Sequence, residues 1–307
     1  MSTMVVIGSR GSRLAMIQSR RVAEQLEGAC PDIRTRIEVI QTTGDQRRDA
    51  ALQSFGGEGV FVKELETALL DGAIDMAVHS LKDLPTRLPE GLSIAAIPER
   101  VTPYDALISE RWTSLDALPH GARIGTSSIR RAAMLRAYRP DLEIVPLRGN
   151  VDTRLLRVSE GAVDAAILAA AGLERLNRAE VITELLPADV MLPAPGQGAL
   201  AIEIRRDDTI AFNAASAIND RLTGAAVIAE RVCLSILGAG CSTPLGALGQ
   251  VKTEVLTLRA CVCSQDGAGR IDVSAVGAVS DAEGIGRETA ERLLEQGAAE
   301  LIGEPHG

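Results

Sequence analysis

Arginines placed where strands run into helices are the first residues of this chain with chemistry to offer. Arg10, the pair Arg130-Arg131, Arg148 and Arg154 stand beside Gly11, Ser12, Thr126, Ser127, Ser128 and Gly149. A helix start presents unpaired N–H groups and the positive end of the macrodipole. Small residues let an anion reach that backbone, and a guanidinium adds a planar, two-pronged partner for carboxylate or phosphate. Four such turns on one face of two facing sheets predict an anion-filled cleft at the sheet switch points, suited to a polyanion rather than a single phosphate. The sequence contains no Walker A motif and no paired-cysteine metal site.

Two further side chains are candidates. Asp83 lies in Val78-His79-Ser80-Leu81-Lys82-Asp83-Leu84-Pro85, just past a strand end. A carboxylate there can be a counter-ion, a turn cap, a stabiliser of developing positive charge or a proton acceptor. A buried carboxylate suits charge stabilisation best. Lys82 can pair with an anion, while His79 reads as a packed strand histidine. His120 and His306 suggest no chemistry. Cys241 lies in Gly238-Ala239-Gly240-Cys241-Ser242-Thr243-Pro244, a loop between a helix and a strand. It is either an ordinary loop cysteine or an exposed thiol made nucleophilic by nearby arginine.

Strand and helix patterns alternate through the positions that must hold these groups. Strands are expected at 4–7, around Ile37 and Val39, and at 74–78 and 92–97, with helices over 14–28 and 62–70. The pattern repeats with strands at 123–125, 143–146 and 165–168, each leading into a helix. Segments 98–103 and 192–198 read as two crossings between lobes, and 199–204 as a strand returning to the first. The tail reads as helix over 214–237, paired strands at 255–263 and 271–279, and helix over 281–302. The expected fold is therefore α/β, with one lobe from 1–98 and 197–214, a second from 102–192, and a small α+β domain over 218–307. Two α/β lobes with a hinge crossed twice also describe binding proteins of the periplasmic type.

Composition narrows the function classes. The net charge is −9, and only one Trp, two Tyr and three Phe are present. Duplex binding, stacking on single-stranded nucleic acid and polybasic membrane binding are all disfavoured. The 29 Arg against 3 Lys follow mostly from base composition, so position carries more information than number. Residues 218–307 carry 7 basic and 12 acidic side chains, which leaves the two lobes near neutral. No secretory signal or membrane-spanning run is read, and five cysteines without zinc spacing fit free thiols in a reducing cytosol. Cys233 reads as core, and Cys261 and Cys263 as sharing one strand face.

Taken in order, several motifs resemble the porphobilinogen deaminase (hydroxymethylbilane synthase) family. They are Ile7-Gly8-Ser9-Arg10-Gly11-Ser12, Phe61-Val62-Lys63-Glu64-Leu65-Glu66, the 78–85 and 125–131 segments, 147–154, 193–200 and Gly240-Cys241-Ser242-Thr243-Pro244. The resemblance implies an enzyme that condenses four porphobilinogen molecules head to tail, releasing ammonia, to give hydroxymethylbilane in tetrapyrrole (heme) biosynthesis. It implies a dipyrromethane cofactor joined by a thioether to Cys241 and held by Lys82, Ser128, Arg130 and Arg131. It places Arg10, Ser12, Ser80, Thr126, Arg148, Arg154 and Arg175 on substrate carboxylates and other polar contacts. Asp83 becomes the catalytic group that binds pyrrole N–H and steadies the cation formed as ammonia leaves. A cytoplasmic monomer without metal, nucleic acid or membrane partner is implied as well.

The chain departs from the family pattern at Glu58 in the 54–59 loop, where many relatives carry Lys, and at Asp152, where Asn is commoner. The competing readings are an anion-binding solute module, which needs no loop cysteine, and a phosphate-handling transferase, which needs metal ligands that the sequence lacks.

Overall fold

A computed structural model of the chain describes residues 2–42, 62–238 and 243–302. Cys241 and the 54–59 loop with Glu58 lie outside the described residues. The chain divides into two compact units, one of 1–100 and 199–224, the other of 101–198 and 225–307. It therefore changes unit at three places: beside Arg100, beside Gly198, and after Gly224.

The first unit is built on a five-stranded sheet. Its strands are β1 (Thr3–Arg10), β2 (Ile33–Ile40), β3 (Met76–Ser80), β4 (Leu92–Ala96) and β10 (Leu200–Arg205), in the order β2-β1-β3-β10-β4. β1 runs parallel to β2 and β3, whereas β10 is antiparallel to both its neighbours. Alternation along β1 and β3 sends Val5, Ile7, Met76 and Val78 to one face. There they pack with Ile202 and Ile204 against Val22 and Leu26 of α1 (Arg13–Ala29) and Ala211 and Ala214 of α6 (Thr209–Ser216). The other face packs Ala77 against Leu65 and Leu69 of α2 (Lys63–Leu70). Gly8 on β1 permits that approach, because a Cβ there would overlap Ile74 Cδ1 and come 3.0 Å from Leu65 Cδ2.

The second unit holds two sheets. The first comprises β5 (Asp105–Ile108), β6 (Arg123–Gly125), β7 (Glu143–Val145), β8 (Ala165–Ala169) and β9 (Glu184–Leu185), in the order β7-β6-β8-β5-β9. β6 is parallel to β7 and β8, and β5 is antiparallel to β8 and β9. On one face lie Met134 and Leu135 of α3 (Ile129–Tyr138). On the other lie Val158 of α4 (Val151–Ser159) and Leu173 of α5 (Ala170–Arg175). The second sheet is an antiparallel meander of β11 (Leu245–Lys252), β12 (Val255–Cys263) and β13 (Arg270–Ala278). It packs on α7 (Arg221–Ile236) and α8 (Ala282–Glu295), with α9 (Ala298–Ile302) closing the chain.

Three differences from expectation have local causes. The helix expected over 214–237 is two helices, because Ala217–Asp220 turns and the Asp220 side chain accepts from Thr223 N at 2.6 Å. The last helix breaks at Gly297, which has φ +91. Strands β5 and β9 were not expected. β5 is short, buried throughout and without alternation, so its pattern does not separate it from loop.

One turn carries strain. Thr253 and Glu254 join β11 to β12 with φ +49 and +62. Two-residue hairpin turns of this hand favour Asn-Gly, and left-handed backbone costs other residues roughly 1–2 kcal/mol each. Thr253→Asn combined with Glu254→Gly is expected to raise unfolding stability by about 1–2 kcal/mol. The urea midpoint checks this, and no upward shift would contradict it.

Candidate functional site

In the first unit the candidate residues gather at the ends of β1 and β3. Strand β3 stops at Ser80 and turns through a single 3-10 turn, Leu81–Asp83, closed by Leu84 N donating to Leu81 O at 3.2 Å. Leu81 and Leu84 take the buried positions, so the turn projects Asp83 outward. Asp83 is exposed, not buried as a charge-stabilising carboxylate was expected to be, and Lys82 beside it is half-buried. The turn is held from two sides. Leu81 N donates to Ala199 O at 3.1 Å, just before β10, and the buried Gln18 of α1 donates from Nε2 to Ser80 Oγ at 2.9 Å. Ser12 caps α1 by accepting from Ala15 N at 3.3 Å, with half-buried Arg10 ending β1 just before it. Arg10, Ser12, Ser80, Lys82 and Asp83 thus share the C-terminal ends of two parallel neighbours, β1 and β3.

In the second unit two turns follow strands in the same manner, and β8 runs directly into α5. Past β6, buried Thr126 accepts at Oγ1 from Ser128 N at 3.2 Å, and Ser128 caps α3 by accepting from Arg131 N at 3.4 Å. Past β7, Asn150 caps α4, accepting from Thr153 N at 2.8 Å. Gly149 before it has φ +104, a backbone that side chains oppose. Arg148 is exposed there, and Arg154 folds back so that its Nε donates to Gly149 O at 2.9 Å. Past β8, half-buried Arg175 donates from Nη2 to Gly198 O at 2.7 Å. Asp152 lies in the first turn of α4, where its charge suits the helix dipole, and its carboxylate is 3.9 Å from Arg178.

Arg130 and Arg131 are placed differently from the other arginines. Both are buried, on the carboxylate of fully buried Asp105. Arg131 donates from Nε and Nη2 to Asp105 Oδ1 at 3.0 and 2.7 Å, and from Nη1 to Ile167 O at 3.0 Å. Arg130 Nη1 lies 2.8 Å from Asp105 Oδ2 and donates to Leu192 O at 2.6 Å. Gln197 Nε2 adds a bond to Asp105 Oδ1 at 3.0 Å and one to Pro103 O at 2.7 Å. Burial pushes the Asp105 carboxyl up, but the two guanidinium groups overcome it and hold the carboxyl far below the usual range. Burial pulls Arg130 down, and Asp105 opposes that. Two guanidinium charges against one carboxylate leave a net positive charge at the Ser128-capped start of α3.

Sequence reasoning missed Asp105, Gln18 and Gln197. Asp105 follows Pro103-Tyr104 with no nearby pattern, and its role appears only when β5 is laid beside β8. Cys233 is core, its thiol pushed by burial to about 12. Cys261 and Cys263 do share a face, buried with Sγ atoms 3.7 Å apart. His79 is packed on its strand, as expected, but against Glu203. Among the described residues no group of three His, Cys, Asp or Glu is arranged to hold a metal ion.

The family model "Porphobilinogen deaminase, dipyromethane cofactor binding domain" matches residues 5–213, and "Porphobilinogen deaminase, C-terminal domain" matches residues 225–295. The chain belongs to the porphobilinogen deaminase family. A porphobilinogen deaminase from Syntrophus aciditrophicus is 47% identical over 296 residues, 96% of this chain and 97% of its own length. One from Deinococcus radiodurans is 50% identical over 301 residues, 97% of each chain. Among solved structures, a nutrient binding protein from Burkholderia cenocepacia bound to methionine aligns with TM-score 0.44 at 14% identity, covering 70% of this chain and 91% of that one.

The donor set fits the dipyrromethane that the porphobilinogen deaminase family carries. That group is a small polyanion, and the turns after β6 and β7 offer capped helix starts, an excess guanidinium charge and the exposed Arg148.

Removing the Asp105 charge leaves two buried guanidinium groups without their counter-ion. Asp105→Asn is expected to cost about 3–5 kcal/mol. The wild-type carboxyl has a depressed pKa, so its stabilisation is present at neutral pH and declines only in acid, below about pH 4. Denaturant unfolding at neutral pH checks the loss, and an unchanged midpoint would contradict it.

Proposed function

We propose that this chain performs its family's condensation of porphobilinogen through Asp83, with its dipyrromethane primer on Cys241. The enzyme polymerises porphobilinogen in tetrapyrrole biosynthesis, an activity supported by family matches over both parts of the chain. When bound, the dipyrromethane supplies the pyrrole carbon to which the first substrate becomes joined. The chain's own residues have three tasks: hold carboxylates, hold pyrrole N–H, and offset positive charge.

Arg148, Arg154 and Arg175 of the second unit are assigned to carboxylates, and Thr126 to polar contact with the substrate. Arg10, Ser12 and Ser80 of the first unit take the matching substrate roles. Lys82, Ser128, Arg130 and Arg131 are assigned to the cofactor. Arg130 and Arg131 act through the net positive charge that remains after Asp105 is neutralised, at a helix start that already favours anions. Each added pyrrole brings two carboxylates, so the demand for such groups grows as the chain lengthens.

Asp83 carries the chemistry. Departure of ammonia from the aminomethyl carbon leaves positive charge shared with the pyrrole nitrogen. The Asp83 carboxylate is exposed at the end of β3 and free of packing duty, which Leu81 and Leu84 perform. It can accept the pyrrole N–H and sit against the developing charge, where a fixed carboxylate is most useful. This placement is the observation that carries the assignment.

The reading extends to a cytoplasmic monomer that acts without nucleic acid. The net charge of −9 opposes polyanion scaffolds, and Cys30, Cys233, Cys261 and Cys263 are unbridged, as suits a reducing compartment. No helix among the described residues is long and apolar enough to cross a membrane.

Asp83→Asn keeps the shape of the side chain and removes its charge. Turnover of porphobilinogen is expected to fall by at least about a hundredfold with the thermal midpoint unchanged. A variant that retains wild-type rates would refute the role given to Asp83.

A further inference from the structure

Behind the Asp83 turn lies a group of titratable side chains that the proposed reaction does not use. Glu203 of β10 is completely buried, and its Oε2 is 2.9 Å from Nε2 of His79 on β3. The other carboxylate oxygen of Glu203 has no hydrogen-bond partner among the described residues. In the antiparallel register His79 faces Ala201 and Glu203 faces Ala77, so both side chains leave the sheet on the face that α2 covers. Glu66 of α2 is also buried, at 8% exposure. Burial first and the Glu203 carboxylate second push its carboxyl up, while His79 and the exposed Lys63 pull it down.

The same face is apolar further along, with Leu65, Leu69, Ile74, Ala77 and Leu92. Two acids and one histidine there are costly: each buried charge loses several kcal/mol of hydration. One histidine neutralises at most one carboxylate, and the three are not arranged as metal ligands. The cluster thus holds two carboxyl groups to one imidazole, and its fully ionised form is net negative.

Its place along the chain gives that charge a use. On the open side of the turn, Lys82 and Arg10 bring positive charge to the ends of β3 and β1. Guanidinium and ammonium groups suit carboxylates but oppose formation of a cation in their midst. We propose that Glu203, assisted by Glu66, is a buried electrostatic support that favours positive charge developing on substrate in front of Asp83. The inference rests on the reading of Asp83 given above. From His79 to Asp83 the chain spans at most roughly 14 Å. The Glu203 carboxylate is held at the His79 end of that span, and a unit charge about 14 Å away inside a protein changes the rate of a charge-forming step by about tenfold.

The test compares Glu203→Gln with Glu203→Asp in cofactor-loaded protein. Gln preserves size and can still accept from His79 but lacks charge, whereas Asp keeps charge and loses a methylene. Glu203→Gln is expected to lower kcat about tenfold, leaving the KM for porphobilinogen within about twofold, and Glu203→Asp to recover most of the loss. A purely structural role predicts the reverse order, with Gln milder than Asp in both rate and thermal midpoint. A kcat for Glu203→Gln within twofold of wild type, or an Asp variant no better than Gln, would overturn the inference. Should Glu203→Gln fail to fold, Glu66→Gln answers the question: its kcat is expected to fall below wild type with the KM for porphobilinogen within about twofold, and Glu66→Asp to recover most of the loss. A Glu66→Gln kcat equal to wild type would overturn the proposal. Loss of activity in Asp83→Asn together with full activity in these variants sinks the support alone, whereas full activity in Asp83→Asn sinks the reading beneath it.

Discussion

Two guanidinium groups and one carboxylate share the interior of the second unit, and much of that unit's order follows from them. Asp105 opens the antiparallel strand β5, Arg130 and Arg131 open α3, and Gln197 comes from the segment preceding β10. A buried carboxylate with one guanidinium makes poor use of its hydration loss, because desolvation of both offsets most of their attraction. Here two guanidinium groups and an amide converge on the carboxylate, and the guanidinium groups also donate to the carbonyls of Leu192 and Ile167. The gain is geometric more than energetic. The start of α3, the first residue of β5 and the 192–198 segment are fixed relative to one another within the unit.

That fixing matters because anion binding at a helix start depends on where the N–H groups point. Ser128 and Asn150 cap α3 and α4, leaving the remaining first-turn N–H groups aimed past the strand ends. Glu230 does similar work elsewhere in the unit. Its buried carboxylate accepts from Gly196 N at 2.6 Å and Gly249 N at 2.8 Å, tying α7 to the crossing segment and to β11. The hairpin loop after β12 braces the far end of α3, with Arg136 Nη1 donating to Gln265 O at 2.7 Å. Helix α3 is thus held at both ends, and the charge at its start is not free to drift.

The sequence announces those parts whose physics is local. Strand-to-helix turns are visible because Gly, Ser, Thr and Asn are needed there, and β6 has the expected bounds, 123–125. The Asp83 turn is visible because Pro85 and the apolar run before it bracket a strand end. Long-range pairings stay hidden. Nothing near Asp105 tells that it will receive Arg130 and Arg131, and nothing near Glu203 tells that it will meet His79 across β10 and β3. The burial of Arg130 and Arg131 is equally invisible, since they stand near a strand-to-helix turn just as the exposed Arg148 does. Helix breaks at Ala217–Asp220 and Gly297 were lost because the apolar spacing continues through them. Chemistry that depends on one turn is readable, and chemistry that depends on sheet register is not.

On the proposed reading, the growing product stays attached by one sulfur while arginines and Asp83 work on each incoming ring. Retention of the chain between additions is what gives those binding groups their effect, since a tethered partner is present at high effective concentration. Intact-mass measurement of the purified protein tests this most directly. The account predicts a mass above that of the bare chain by two linked pyrrole units, absent from Cys241→Ser. An active protein whose mass equals the bare chain would contradict it.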